Sequence, residues 1–136
     1  MSGGPRVIML VEDNPADVTL LSEALASQKV ETPLFVAHDG DEGIRIIDAI
    51  DESRIPCPDL ILLDLNLPRK SGFAVLERVR SSRQCKRKPV VVFSSSDARE
   101  DREKAWRLGA SYYIRKPSTL KDLMSIGGVL KKILAG

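Results

Sequence analysis

Six polar residues stand directly behind short apolar runs, and their types suit one chemistry. Glu12 and Asp13 follow the run at 7–11, and Asp64 follows 60–63. Ser94 and Ser95 follow 90–93, and Lys116 comes just after 112–114. Three carboxylates facing one cleft repel each other and raise one another's pKa unless a cation sits among them. A hard divalent ion with oxygen ligands resolves that conflict, and Mg²⁺ takes one or two carboxylates while keeping several waters. Lysine adds a mobile positive charge that pairs with a carboxylate or a phosphoryl oxygen, and a serine hydroxyl can donate to the same oxygen. A carboxylate nucleophile, Mg²⁺, a lysine and a hydroxyl together describe phosphoryl transfer onto aspartate.

For that chemistry to occur, groups distant in sequence must meet. The chain alternates short apolar runs with longer helical patterns. Val7-Ile8-Met9-Leu10-Val11 and Leu60-Ile61-Leu62-Leu63 are continuous apolar runs, as expected of strands buried on both faces. Leu34–Ala37, Val90-Val91-Val92-Phe93 and Tyr112-Tyr113-Ile114 complete five strands. Asn14 is expected to cap the first helix, with Pro15 in its first position. Val18, Leu21 and Leu25 mark its buried stripe, and Ile44, Ile47 and Ile50 mark that of the second helix. Phe73, Leu76 and Val79 lie on the third. Asp97 is expected to cap the fourth and Gly109 to end it, and a last helix starts near Thr119. Gly127-Gly128 within that helix has no local explanation, since each glycine costs about 1 kcal/mol relative to alanine. Strictly alternating strands and helices imply an α/β fold, a doubly wound parallel sheet with right-handed crossovers and helices on both faces. Sites in such sheets lie beyond the carboxyl ends of the strands, where the strand order switches. Glu12, Asp13, Asp64, Ser94, Ser95 and Lys116 all stand there.

Composition narrows the field. The chain has 136 residues, room for one domain of ordinary size, with 43% hydrophobic and 29% charged residues. A net charge of +2 argues against a dedicated nucleic-acid binder. No apolar run reaches the roughly 20 residues that cross a bilayer, and the start lacks a signal-peptide layout. Cys57 and Cys85 are too few and too isolated for a disulfide framework or zinc site, so free thiols and a cytoplasmic protein are expected.

The ordered set VEDN at 11–14, LLDLNLPRKSG at 62–72, VVVFSSSD at 90–97 and Lys116-Pro117 resembles the receiver domain of bacterial two-component response regulators. The resemblance runs from Arg6 to Leu134, which makes 1–5 a tail and 6–136 the receiver domain. VEDNPAD and DLNLPRKSG are most similar to the small stand-alone regulators that partner phytochrome-type histidine kinases. It implies a CheY-like, flavodoxin-like (βα)5 fold with strand order 2-1-3-4-5. Asp64 is then the phosphoacceptor, taking its phosphoryl group from a phosphohistidine of a sensor histidine kinase. Asp13, Asp64 and the main-chain carbonyl of Asn66 bind Mg²⁺ directly, and Glu12 acts through a water. Lys116 pairs with Asp64 and then with the phosphoryl group, through a cis peptide to Pro117. Ser94 is the switch hydroxyl, the backbone N–H of Ser95 a further phosphoryl donor, and Tyr113 the switch aromatic. The side chains of Asn66 and Ser96 flank the phosphoryl group. The fourth helix, fifth strand and fifth helix form the family's usual surface for dimerisation and partner binding, where Trp106 falls beside Tyr113. With little chain left for an output module, the output is expected to be association: a homodimer, a downstream protein effector or a phosphotransfer protein, with neither nucleic acid nor membrane as a partner. The protein is not expected to be an enzyme beyond assisting its own phosphorylation and dephosphorylation.

Other readings compete. Glu12 and Asp13 also suit a solvated helix start, Ser94 and Ser95 an ordinary turn, and Trp106 a core position. His38 reads as a strand-end residue without a catalytic partner. Arg99–Glu103 reads as an (i, i+4) pair on a solvated face, and Lys86-Arg87-Lys88 as a soluble loop. An aspartate-based phosphohydrolase or phosphotransferase of the haloacid-dehalogenase type wants a second Asp where Asn66 stands. A dinucleotide binder wants a glycine-rich turn where Glu-Asp-Asn-Pro follows the first strand. A pseudo-receiver adaptor usually loses the acidic pair or the phosphoacceptor, and both are present.

Overall fold

The structure is a computed structural model that describes residues 6–135. Five strands alternate with five helices: β1 (Ile8–Val11), α1 (Pro15–Ser27), β2 (Leu34–Ala37), α2 (Gly40–Ser53), β3 (Leu60–Leu63), α3 (Gly72–Ser81), β4 (Val90–Ser94), α4 (Arg99–Arg107), β5 (Tyr112–Arg115) and α5 (Leu120–Ala135). All pairings are parallel, in the order β2-β1-β3-β4-β5. The expected doubly wound fold is therefore present, and its order switches between β1 and β3.

Alternation along the strands builds two cores. Met9, Val11, Ile61, Leu63, Val90 and Val92 face α2, α3 and α4, where Ile47, Val75 and Ala105 are buried. Ile8, Leu10, Leu60, Leu62, Val91 and Phe93 face α1 and α5, meeting Leu21, Leu25, Leu123 and Leu130. The central strands are buried on both sides, which is why they read as unbroken apolar runs.

Helix starts follow local chemistry. The Asn14 side chain accepts from the Ala16 N–H at 2.9 Å, with Pro15 in the first helical position, as expected. Asp39 caps α2 through the Glu42 N–H at 2.7 Å. The Thr119 hydroxyl accepts from the Asp122 N–H at 3.2 Å at the start of α5. The expected Asp97 cap is not made. Ala98 occupies the N-cap of α4 without a side-chain bond, because the Asp97 carboxylate is drawn to the guanidinium groups of Arg102 and Arg115. Gly109, with φ +103°, stands just past α4 in a conformation that side chains resist.

Two further expectations are corrected. Cys57 and Cys85 are not free thiols but a disulfide, with Cα atoms 5.2 Å apart. Cys57 precedes β3 and Cys85 lies between α3 and β4; the fold brings these loops together at the amino-terminal ends of β3 and β4. Their separation of 28 residues carried no sign of that meeting. The Lys116–Pro117 peptide is trans, as no cis bond occurs among the described residues. The structure also explains one glycine of the unexplained pair. A Cβ on Gly127 would fall on the main-chain carbonyl of Ala24, where α5 crosses α1 closely, whereas Gly128 meets only the Gln28 side chain.

Candidate functional site

The ladder places the polar residues at one sheet edge. The Glu12 N–H donates to the Ala37 carbonyl at 2.9 Å, the Asp64 N–H to Val11 at 3.1 Å, and the Lys116 N–H to Ser94 at 2.8 Å. These backbone bonds continue the sheet by one step past β1, β3 and β5, so rigid strands set where the side chains begin.

Lys116 is the centre of the arrangement. Its Nζ lies 2.7 Å from Glu12 Oε1, 2.8 Å from Asp17 Oδ2 and 3.1 Å from Asp64 Oδ2, and 5.7 Å from the centroid of the Phe93 ring. Burial alone would lower its pKa, but the Asp17, Glu12 and Asp64 carboxylates outweigh that and hold it above the ordinary lysine value. The Glu12 side chain is only 1% exposed. Burial pushes its carboxyl up to about 7, and the charge of Asp64 adds to the rise against the pull of Lys116. Glu12 Oε1 has no directed hydrogen bond, though it lies against the ammonium.

Glu12, Asp13 and Asp64 each present an oxygen, and these atoms lie within 4.8 Å of one another. The donor set is all carboxylate oxygen, with two of the three groups buried and close enough to repel each other. Such a set fits a hard divalent cation. Asp13 is exposed and leaves the site open to solvent on that side, while Asp64 is buried.

The remaining candidates divide into those at the carboxylates and those near the switch. The Asn66 N–H donates to Asp64 Oδ1 at 3.1 Å, fixing that carboxylate, and its side chain is exposed. Ser94 is fully buried at the end of β4, and its hydroxyl accepts from the Ser96 N–H at 3.2 Å. Ser95 is exposed beside it. The half-buried Tyr113 donates its hydroxyl to the Ser96 carbonyl at 2.8 Å, with the Arg102 guanidinium 4.7 Å over its ring. Ser96 itself donates to Asp101 at 2.5 Å. The loop after β4 is thus linked to both α4 and β5. Trp106 is on the outer face of α4, 49% exposed, and not in the core. His38 is exposed just past β2, as its strand-end reading expects, and Arg99 and Glu103 pair on a solvated face.

Asp17 was not anticipated. It stands in the first turn of α1, two residues after Pro15, and the Asn14 cap that starts the helix beside Asp13 is the signal that keeps this turn at the site.

A doubly wound sheet that gathers an acidic triad, a lysine and a buried serine beyond the carboxyl ends of its strands has the layout of a receiver-type α/β domain. Residues 8–126 match the model of the response regulator receiver domain, and the chain belongs to that family. It is similar to the response regulator Rcp1 of Synechocystis sp., 37% identical over 126 residues that cover 92% of this chain and 86% of Rcp1. It is 33% identical to the nitrate/nitrite response regulator protein NarL of Escherichia coli, covering 88% of this chain and about half (52%) of NarL. Among solved structures it resembles the phosphorylated cyanobacterial phytochrome response regulator RcpA, with TM-score 0.88 and 36% identity over 98% of this chain and 96% of that one. The Mn²⁺-bound form of Rcp1 superimposes with TM-score 0.83 and 36% identity, over 94% and 93% of the two chains. Among the described residues no helix is long and apolar enough to cross a membrane.

Proposed function

We propose that this receiver is a phosphorylation switch in which Asp64 takes a phosphoryl group from the phosphohistidine of a sensor histidine kinase, in a Mg²⁺-dependent reaction. A carboxylate oxygen of Asp64 attacks phosphorus, the P–N bond to the imidazole breaks, and its electron pair leaves with the ring nitrogen. Glu12, Asp13, Asp64 and the main-chain carbonyl of Asn66 would hold the ion, Glu12 through a water. When bound, Mg²⁺ supplies positive charge against the phosphoryl oxygens. Lys116 supplies further positive charge beside Asp64, and the Ser95 N–H donates to the group.

Ser94 then turns its hydroxyl to the phosphoryl group, giving up the Ser96 N–H. Tyr113, held by the Ser96 carbonyl, follows that loop inward. Local charge thereby biases a two-state element. The readout is altered association on the face that carries Trp106, either as a homodimer or with a downstream effector or phosphotransfer protein. The protein turns over no external substrate. The names of its relatives support a phytochrome-type kinase as the input.

The observation that carries this reading is Lys116, reaching Asp64 across 52 residues of sequence at the point where three carboxylates converge. Labelling with a small phosphodonor in the presence of Mg²⁺ tests it. The wild type should label and Asp64→Asn should not, and equal labelling would end the assignment. Sedimentation with and without beryllofluoride tests the association step, and an unchanged monomer would count against it.

A further inference from the structure

Lys116 has three ammonium protons and three carboxylates around it. Two of those carboxylates, Glu12 and Asp64, also belong to the oxygen cluster formed with Asp13. The third, Asp17, does not. It reaches the ammonium at 2.8 Å from the first turn of α1, with a side chain 27% exposed. The helix N-terminus favours its negative charge.

The lysine and a divalent cation carry the same sign and draw on the same two buried carboxylates. An ammonium with no other anion would settle between Glu12 and Asp64 and oppose the metal there. We propose that Asp17 is a positioning residue that gives Lys116 an anion of its own, so that metal and lysine occupy the site together. This rests on the receiver reading of the site and adds a residue to it. Asp17 touches neither the metal donors nor the phosphoryl acceptor; it acts through Lys116.

A double-mutant cycle on metal affinity tests the proposal without reference to phosphorylation. Mn²⁺ is titrated into the full chain, and free ion is followed by its paramagnetic resonance signal. The wild type, Asp17→Asn, Lys116→Gln and the double variant are compared, with Asp17→Ser as a second neutral replacement. Asp17→Asn should weaken Mn²⁺ binding by about tenfold, within the coupling range of groups in one charge network. In the Lys116→Gln background the same change should alter Kd by less than about twofold. A Kd unchanged by either Asp17 variant, or weakened equally in both backgrounds, would overturn it. A wild type that binds no Mn²⁺ would instead overturn the receiver reading itself, and that result is seen before any variant is compared.

Discussion

The Lys116 ammonium and the Asp64 carboxylate, 52 residues apart in sequence, meet at 3.1 Å because β5 and β3 both end at the same sheet edge. The pair is nearly closed to water, with side-chain exposures of 16% and 6%. Removing the lysine as Lys116→Gln leaves Asp64 and Glu12 facing each other without a cation. Metal-free stability should fall by about 3 kcal/mol, the low end for breaking a buried ion pair, since Glu12 can neutralise itself by taking a proton. Mg²⁺ should restore much of the loss, and it should bind more tightly than to wild type. Urea unfolding with a chelator and then with Mg²⁺ checks both, and equal stability without metal would refute the first.

Much of the site was legible in the sequence because its residues follow apolar runs. A strand buried on both faces is visible as a run such as Leu60–Leu63, so its end, and Asp64 with it, is visible too. The strands then deliver Glu12, Asp13, Ser94 and Lys116 by the same rule. Asp17 escaped that rule because it is set by a helical turn and not by a strand end. The disulfide escaped because only the pairing of β3 with β4 brings the two loops that precede these strands together. The Asp97 cap failed because two guanidinium groups compete for that carboxylate, a tertiary effect that no local pattern carries.

Asp51 ties α2 to the segment after α3. Oδ1 accepts from the Ser82 hydroxyl at 2.7 Å and from the Gln84 N–H at 3.1 Å, and Oδ2 from Arg78 at 2.9 Å. The Ser82 bond chiefly, with Gln84 and Arg78, lowers its pKa from 3.8 to about 2. A carboxyl depressed by folding contributes stability that is complete above the unfolded value and lost as pH falls through the folded one. Asp51→Asn should therefore melt below wild type above pH 4, and the gap should narrow steadily from about pH 4 to about pH 2, where the folded carboxyl is half protonated. Melting temperatures across that window decide it; a gap as wide at pH 2 as at pH 5 contradicts the assignment.

Gly127 and Gly128 are neighbours with opposite expected responses to alanine. Gly127 packs its backbone against the Ala24 carbonyl of α1, so an added Cβ must push α5 away. Overpacking of this kind costs about 1 to 3 kcal/mol, more than the gain in helix propensity. At Gly128 the nearest atom is 3.7 Å away, on the Gln28 side chain, so the propensity gain stands. Gly128→Ala should stabilise by up to about 1 kcal/mol. Chemical denaturation of the two single variants tests the pair, and matching signs would show that α1 and α5 do not approach as described.

The Cys57–Cys85 disulfide lies at the end of the sheet away from the carboxylates and closes a stretch of 28 residues. That stretch includes β3 and α3 and carries Asp64 and Asn66. Loop closure of this length should contribute roughly 3 to 4 kcal/mol by restricting the unfolded chain. Reduction, or Cys57→Ser with Cys85→Ser, should lower the urea midpoint accordingly. Mn²⁺ binding in the folded state should survive, because Asp64 is held by the β1 and β3 backbone and not by the disulfide. Mass measurement after alkylation establishes the bridge, with no cysteine modified until reductant is added. Two thiols that alkylate in the native protein, or a urea midpoint indifferent to reductant, would remove the bridge from the account of stability.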